Sequence, residues 1–410
     1  MNSFNKNLEK YASLAVKVGV NIQNGQTLII NSPIECSEFT RIVAKCAYKN
    51  GAKNIHVRWS DEDLALIKYL NAPDEVFNEF PKWEADGLEE LAKNGAAVIS
   101  ISASNPELLK NVDPKRIAAA NKARSLALKN YREYIMNSTI SWCVISIPTK
   151  AWAKKVFSDV SEDEAVQKLW DNIFKIVRVD NDDPIKAWDE HLNTLNSRVD
   201  FLNNKNFKSL HFKSSVTDLN IELPKDHLWA GGGEYNSKKT YFVANMPTEE
   251  VFTLPLKTGI NGTVKNTKPF NYAGNLIDNF TLTFKDGKVV DFKAEVGHET
   301  LKKLLETDDG ACYIGEVALV AYDSPISNST IVFYNTLFDE NASCHLAFGM
   351  AYPTCIKNGT QMSSEELQKA GANDSLIHED FMIGSDDMDI VAETHDGEKV
   401  QIFENGNWVI

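Results

Sequence analysis

Up to about residue 204, short apolar runs alternate with helix-like stretches; beyond it the runs shorten, alternate apolar with polar and are separated by hairpin dipeptides. A chain patterned this way folds as an open sheet covered by helices, followed by a strand-rich unit. In the first part, Leu8, Tyr11, Ala12, Ala15 and Val16 recur at helical spacing ahead of a strand from Thr27 to Ile30. A Ser-led helix from Ser37 to Tyr48 is ended by Gly51, before a strand from Asn54 to Trp59. Ala96 to Ile101 and Ser141 to Ile147 repeat the strand signal. Helical stretches from Glu164 to Val177 and from Pro184 to Leu202 lead to the polar segment Asn203-Asn204-Lys205-Asn206. The domain boundary is placed there, giving an N-terminal α/β domain over 1–204 and a C-terminal domain over 205–410. In the second part Ser209 to Phe212, Asp218 to Leu223, Thr240 to Ala244, Phe280 to Phe284 and Lys288 to Lys293 read as strands. Turns come at Asp286-Gly287, Asp396-Gly397 and Asn405-Gly406. The expected fold class is therefore α/β, an open α/β sheet domain packed on a strand-rich α+β domain.

Composition removes several functions. With 43 Lys plus Arg against 57 Asp plus Glu, the net charge of −14 repels nucleic acid and anionic membranes, and no basic patch interrupts it. The cleanest apolar runs, Ala96 to Ile101 and Tyr313 to Ala321, are far shorter than the ~20 residues that span a bilayer. Met1 to Glu9 is polar and of mixed charge, unlike a secretory or transit segment, so a cytoplasmic location is expected. Six Cys without a CxxC pair read as reduced, half-buried residues. No GxGxxG or GxxxxGK[ST] follows any strand of the first part, which argues against a nucleotide site.

The chemistry lies after residue 245. Glu249 and Glu250 stand side by side in Asn245-Met246-Pro247-Thr248-Glu249-Glu250-Val251-Phe252-Thr253; in extended backbone only one of them easily enters a pocket, and a solvated acidic turn is the plain alternative. Glu316 interrupts Ala311 to Ala321, an otherwise uncharged run that reads as a strand buried on both faces. An unpaired carboxylate there would cost ~3 to 5 kcal/mol, so it needs a salt bridge or a cation, and the run itself has no Lys or Arg. His345 precedes the small-residue stretch Leu346 to Ala351, a position for a ligand at a strand start, although a satisfied core imidazole is the commoner role. Glu340 lies upstream, as ligand, general base or solvated acid. Tyr352 closes the stretch, as phenolic donor or packed aromatic. In His378-Glu379-Asp380, His378 and Asp380 project to one face of a strand as a chelating pair.

Together Glu250, Glu316, Glu340, His345, His378 and Asp380 supply oxygen and imidazole donors without Cys, the palette of Zn, Co, Mn or Mg in hydrolysis. Two divalent ions would balance the formal charge of the four carboxylates, so a dinuclear centre is the economical reading. Such a centre holds a bridging water nucleophile. The rival schemes lack their motifs, because neither GxSxG nor HExxH is present.

These four segments, Asn245 to Thr253, Ile314 to Val320, Asp339 to His345 and His378 to Gly384, resemble in order and spacing the metal-site segments of the thermophilic aminopeptidase family, the aminopeptidase T, II and S group. The resemblance implies a metal-dependent exopeptidase that removes N-terminal residues from peptides, built as a homodimer around two divalent ions per chain. By matching position it makes Glu250, Glu316, His345, His378 and Asp380 metal ligands, Glu340 a further ligand or the base, and Tyr352 the tyrosine beside the metals. Two alternatives stand beside it. One is a dinuclear hydrolase acting on another amide or a phosphoester; the other is a non-catalytic α/β binding module with a structural cation site. Phosphoester substrates usually recruit Arg or Lys, and few adjoin these segments.

Overall fold

A computed structural model describes residues 3–272 and 275–410; Met1 and Asn2 of the polar opening lie outside the described residues. The chain divides into two compact units, one formed by Met1–Glu190 with Gly233–Pro247 and the other by His191–Gly232 with Thr248–Ile410. This division differs from a boundary after residue 204 in two ways. It falls inside a single long helix, Pro184–Lys205, which carries no turn signal at the crossing, and it returns the segment 233–247 to the first unit. That return is made by a strand of two residues, too short to leave a pattern in the sequence.

The first unit is a parallel sheet of five strands: β1 (Thr27–Pro33), β2 (Asn54–Ser60), β3 (Ala97–Ile101), β4 (Trp142–Ile145) and β5 (Asn245–Met246). Their spatial order is 2-1-3-4-5 and every pairing is parallel. Leu28, Ile29 and Ile30 are all fully buried, as a parallel strand covered on both faces requires. The helices are α1 (Ser3–Leu14), α2 (Ser37–Lys49), α3 (Glu62–Asn71), α4 (Lys82–Lys93), α5 (Pro114–Ala127), α6 (Lys129–Met136), α7 (Lys150–Val156), α8 (Glu162–Ile176) and α9 (Pro184–Lys205). Side-chain caps start five of them. Asp61, Asp113, Thr149, Ser161 and Asp183 each accept a backbone N–H from the first turn of α3, α5, α7, α8 and α9. One face of the sheet packs Ile29 and Val98 against Leu88 and Ala92 of α4 and Tyr131 of α6.

The second unit holds a nine-stranded antiparallel sheet and a five-stranded one. The smaller sheet orders β9 (His378–Met382), β8 (His345–Gly349), β7 (Ile314–Leu319), β6 (Val251–Thr253) and the short strand Ala230–Gly231, all antiparallel. Val251, Val317, Leu319, Leu346, Phe348 and Phe381 turn one face of this sheet into the unit's main core, where they meet Phe212, Ile221, Phe280, Leu282 and Ile390 of the larger sheet. The expected hairpin turns are present: Asp286-Gly287 and Asn405-Gly406 have the two consecutive positive φ values of a type I′ turn. Among the described residues no helix is long and apolar enough to cross a membrane. All six cysteines are free, four of them buried and two partly so.

Candidate metal centre

Register places the acidic and imidazole side chains on the face of the smaller sheet opposite its core. Residues directly across an antiparallel pair share a face, as do residues two apart along a strand. Ala318 of β7 lies opposite Phe252 on one side and His345 on the other, and His345 lies opposite Met382. In the neighbouring row Glu316 faces Ala347, and Ala347 faces Asp380; His378 faces Gly349. Glu316, His345, His378 and Asp380 therefore project to one side, with the methyls of Ala318 and Ala347 as the only side chains between them in these rows. Glu250 joins them from the residue before β6.

A bulge sets the phase of this arrangement. Ile314 and Phe348 pair and both enter the core, whereas Glu316, two residues on, faces the other way. The register shift falls at Gly315, where a Cβ would lie 2.3 Å from the Met350 carbonyl oxygen and 2.4 Å from that of Gly349. Glycine is required by this approach, and the extra residue re-aims Glu316 out of the core.

The donors converge. One set of ligand atoms, from Glu250, Glu316 and His345, and a second, from Glu316, His378 and Asp380, each lie within 4.8 Å of one another, and Glu316 belongs to both. His345 Nε2 is 3.1 Å from Glu250 Oε2 and 3.6 Å from Glu316 Oε1; His378 Nε2 is 3.7 Å from Glu316 Oε2 and 3.7 Å from Asp380 Oδ1. Glu250, Glu316, Glu340 and His345 are all buried. Glu340 falls outside both sets; its Oε1 lies 3.4 Å from Asn341 Nδ2. The Tyr352 ring stands edge-on to His378 at 4.9 Å and to Phe252 at 5.8 Å.

Burial pushes the Glu316 carboxyl up to about 7, against hydrogen bonding to His345 and the charge of His378, with Glu250 and Asp380 adding to the rise. Glu340 is raised well above its ordinary value by burial and then by the charges of Asp380 and Glu250. For His345, burial disfavours the imidazolium, but hydrogen bonds to Glu250 and Glu316 outweigh it and raise the group well above its usual value. His378 is also raised: burial opposes the change, and Asp380 and Glu316 drive it. Burial and the surrounding carboxylates hold the Tyr352 phenol protonated.

The donor set fits divalent cations. His378 Nδ1 lies 2.7 Å from the Met350 carbonyl oxygen and His345 Nδ1 lies 3.3 Å from that of Ser343. A carbonyl only accepts, so each Nδ1 carries a hydrogen, and in the neutral form of the ring the Nε2 lone pair would face carboxylate oxygens. Acceptors that face acceptors need a proton or a cation between them. Backbone-anchored imidazoles of this kind are the usual outer support of metal-binding His. Asp380 Oδ1 adds a buried oxygen with no hydrogen-bond partner.

Sequence reasoning passed over two residues that hold this site. Asn341, fully buried, accepts the Glu249 N–H at Oδ1 (2.7 Å) and donates through Nδ2 to the Leu337 carbonyl (3.0 Å) as well as to Glu340, joining the two acidic segments. His191, on α9, has Nε2 2.7 Å from the Thr248 carbonyl oxygen and 3.5 Å from Glu249 Oε2. Glu249 is thus buried beside a protein partner rather than solvated in an acidic turn. The available signal for Asn341 was an amide directly after Asp339-Glu340; nothing in the pattern of α9 marks His191.

A strand-rich unit carrying buried carboxylates and imidazoles on one sheet face defines a metal-dependent hydrolase. The model of the thermophilic metalloprotease (M29) family matches residues 4–408, and the chain belongs to that family. It is 57% identical over 408 residues to aminopeptidase 2 of Geobacillus stearothermophilus, covering 100% of this chain and 99% of that one. It is 55% identical to aminopeptidase AmpS of Bacillus subtilis, with 100% of both chains covered. The solved structure of wild-type AmpT from Thermus thermophilus superposes with a TM-score of 0.93 over 100% of both chains at 38% identity.

Proposed function

We propose that this chain is a metallo-aminopeptidase that hydrolyses the first peptide bond of peptides with a free N-terminus at a centre of two divalent ions. The observation that carries the two-ion reading is that Glu316 belongs to both donor sets. Glu250 and His345 would hold one ion, His378 and Asp380 the other, and Glu316 would serve both. Two bound divalent ions would supply Lewis acidity and bring a water held between them toward ionisation at neutral pH. Cobalt, zinc, manganese and magnesium all suit the donor types.

The protein groups then have separate tasks. Glu340, buried and outside both donor sets, would act as the base that takes a proton and delivers it to the leaving amine. Its elevated affinity for a proton suits it to that exchange. Asn341 would hold the Glu340 carboxyl in place, and Tyr352, kept protonated by its surroundings, would donate its hydroxyl hydrogen to the developing oxyanion. The same reading includes a homodimer acting in the cytoplasm.

The test is hydrolysis of aminoacyl-p-nitroanilides before and after chelation, with metal analysis and native mass of the purified chain. Expected are two ions per 45.9-kDa chain, loss of activity on chelation, recovery with Co, Zn, Mn or Mg, and no hydrolysis of N-acetylated substrates. Activity indifferent to chelation would overturn the reading. One ion per chain at full activity would overturn its dinuclear part.

A further inference from the structure

On the metal-binding face of the smaller sheet, one cross-strand row runs Ala230, Phe252, Ala318, His345, Met382. Phe252 follows Glu250 by two residues and so shares its face, while Val251 between them enters the core. Small residues flank the ring on both sides, Ala230 on the short strand and Ala318 on β7. No neighbour of its own size stands beside it within that row. Phe252 and Ala230 are half-buried, although Glu250, Glu316 and His345 on the same face are buried.

The contacts of Phe252 hold the ring without covering it. It meets the Tyr352 ring edge-on at 5.8 Å, and Tyr352 meets the His378 ring at 4.9 Å, so a chain of rings leads from β6 to the second donor set. Behind it, Phe252 packs with Ala230 and Tyr352 against a buried cluster that contains Leu254, Ala351, Cys355 and Ile356. An aromatic side chain supported from behind and open in front lines a ligand pocket in the usual way. Neighbouring strands lie about 4.8 Å apart, so the backbones of Phe252 and His345 are about 10 Å apart, with only the Ala318 methyl between them in the row. A gap of that width above a methyl admits one side chain.

A peptide whose scissile carbonyl lies at the two donor sets carries the side chain of its first residue only a few bonds from them. The apolar floor runs from Phe252 into the buried cluster and is closed there, so a peptide cannot continue in that direction, whereas the residue at a chain end can point into it. We propose that Phe252, lying between Ala230 and Ala318 and braced by Tyr352, forms the pocket for the side chain of the substrate's first residue, and that this pocket takes aromatic and large aliphatic side chains in preference to small or acidic ones. This assignment rests on the metallo-aminopeptidase reading and names its substrate class. A phenyl or isobutyl group removes the exposed ring face from water, and a methyl leaves it wet. An acidic side chain brings one more negative charge to a site that already holds Glu250, Glu316 and Glu340.

The test compares phenylalanyl-, leucyl-, alanyl- and aspartyl-p-nitroanilide, and the dipeptides phenylalanyl-alanine and alanyl-phenylalanine followed by amino-acid release. Two amino alcohols that cannot be hydrolysed, L-phenylalaninol and L-alaninol, are titrated calorimetrically into the metal-loaded protein. In the wild type, kcat/KM for the phenylalanyl and leucyl substrates should exceed that for the alanyl one by about tenfold or more, the discrimination an apolar pocket gives. Phe252→Ala should lower that preference, and the matching preference for phenylalaninol, by about tenfold, with metal content per chain unchanged. Phe252→Leu keeps an apolar side chain against the supporting cluster and so keeps the test decisive if Phe252→Ala does not fold. It should lower the phenylalanyl-to-leucyl ratio and retain the leucyl-to-alanyl one. Selectivity equal in wild type and Phe252→Leu, or a Phe252→Ala effect confined to alanyl-phenylalanine, would overturn the proposal and leave the aminopeptidase reading standing. Absence of hydrolysis together with a Phe252-dependent preference for phenylalaninol would overturn that reading and support the pocket.

Discussion

Replacing Glu316 by Gln should stabilise the metal-free protein at alkaline pH while abolishing its response to metal. The carboxyl is buried and its folded-state value is about 7, against 4.5 in the open chain. An acid shifted upward binds its proton more tightly when folded. The stability it contributes is complete below about pH 4.5 and is lost as pH rises through about 7. That interval corresponds to about 3 kcal/mol, so the metal-free wild type at pH 8 should lack roughly that amount relative to pH 5. Gln has a similar shape and no charge to desolvate, so the variant should escape the loss. For a unit of about 200 residues the gain translates to about 6–12 °C in unfolding temperature at pH 8, with little difference at pH 5. The assay is scanning calorimetry of both proteins in chelator at the two pH values, repeated with a divalent ion. Added metal should invert the order, because wild type gains the binding energy and the variant has lost the carboxylate common to both donor sets. If metal-free Glu316→Gln is instead less stable than wild type at pH 8, the protein alone compensates this carboxylate. The electrostatic case for cations then fails.

Three further substitutions probe the geometry. Tyr352→Phe should lower turnover by about a hundred- to a thousandfold, the range for one oxyanion donor, with metal content unchanged by elemental analysis; loss of metal would show that the phenol supports the ligands instead. Ala347→Leu places a bulky side chain between Glu316 and Asp380, so metal uptake measured by titration should be lost while circular dichroism stays that of the folded protein; normal metal affinity would contradict the register. Gly315→Ala sets a methyl 2.3 Å from a carbonyl oxygen, about 1 Å inside ordinary contact, so the end of β7 must move. Misplacement of that size costs about a hundredfold in turnover, and an unaffected enzyme would show that the bulge does not aim Glu316.

The parts of this molecule that were legible from sequence are those written in short-range pattern. The run Thr27 to Ile30 declared a strand. Asp286-Gly287 declared its hairpin, and a carboxylate inside an uncharged run declared that Glu316 needed company. The convergence of Glu250, Glu316, His345, His378 and Asp380 was anticipated from charge and resemblance; their geometry was not, because register is a long-range property. The bulge at Gly315 reverses the facing of every residue on one side of it, and a lone glycine in a strand pattern signals such a step without giving its direction. Glu249 and His191 meet across 58 positions of sequence, and no local periodicity encodes that contact. The division inside α9 was hidden for the converse reason, since an uninterrupted helical pattern gives no sign that its two ends belong to different units.

The division of labour between the two faces of the smaller sheet explains how it tolerates so much buried charge. Ile314, Val317 and Leu319 of β7, Leu346 and Phe348 of β8 and Phe381 of β9 are locked into the core, and each such burial contributes roughly 1.5–3 kcal/mol. That anchoring fixes the strands independently of what the opposite face carries, so the acidic side chains need not pack well to be held in place. Small residues at Ala318 and Ala347 then leave their own face open, and carboxylates on neighbouring strands lean together over them. The face is stable as a scaffold and unstable as a charge distribution. A cation relieves the second condition without disturbing the first, so metal exchange should change the stability of this unit far more than its backbone.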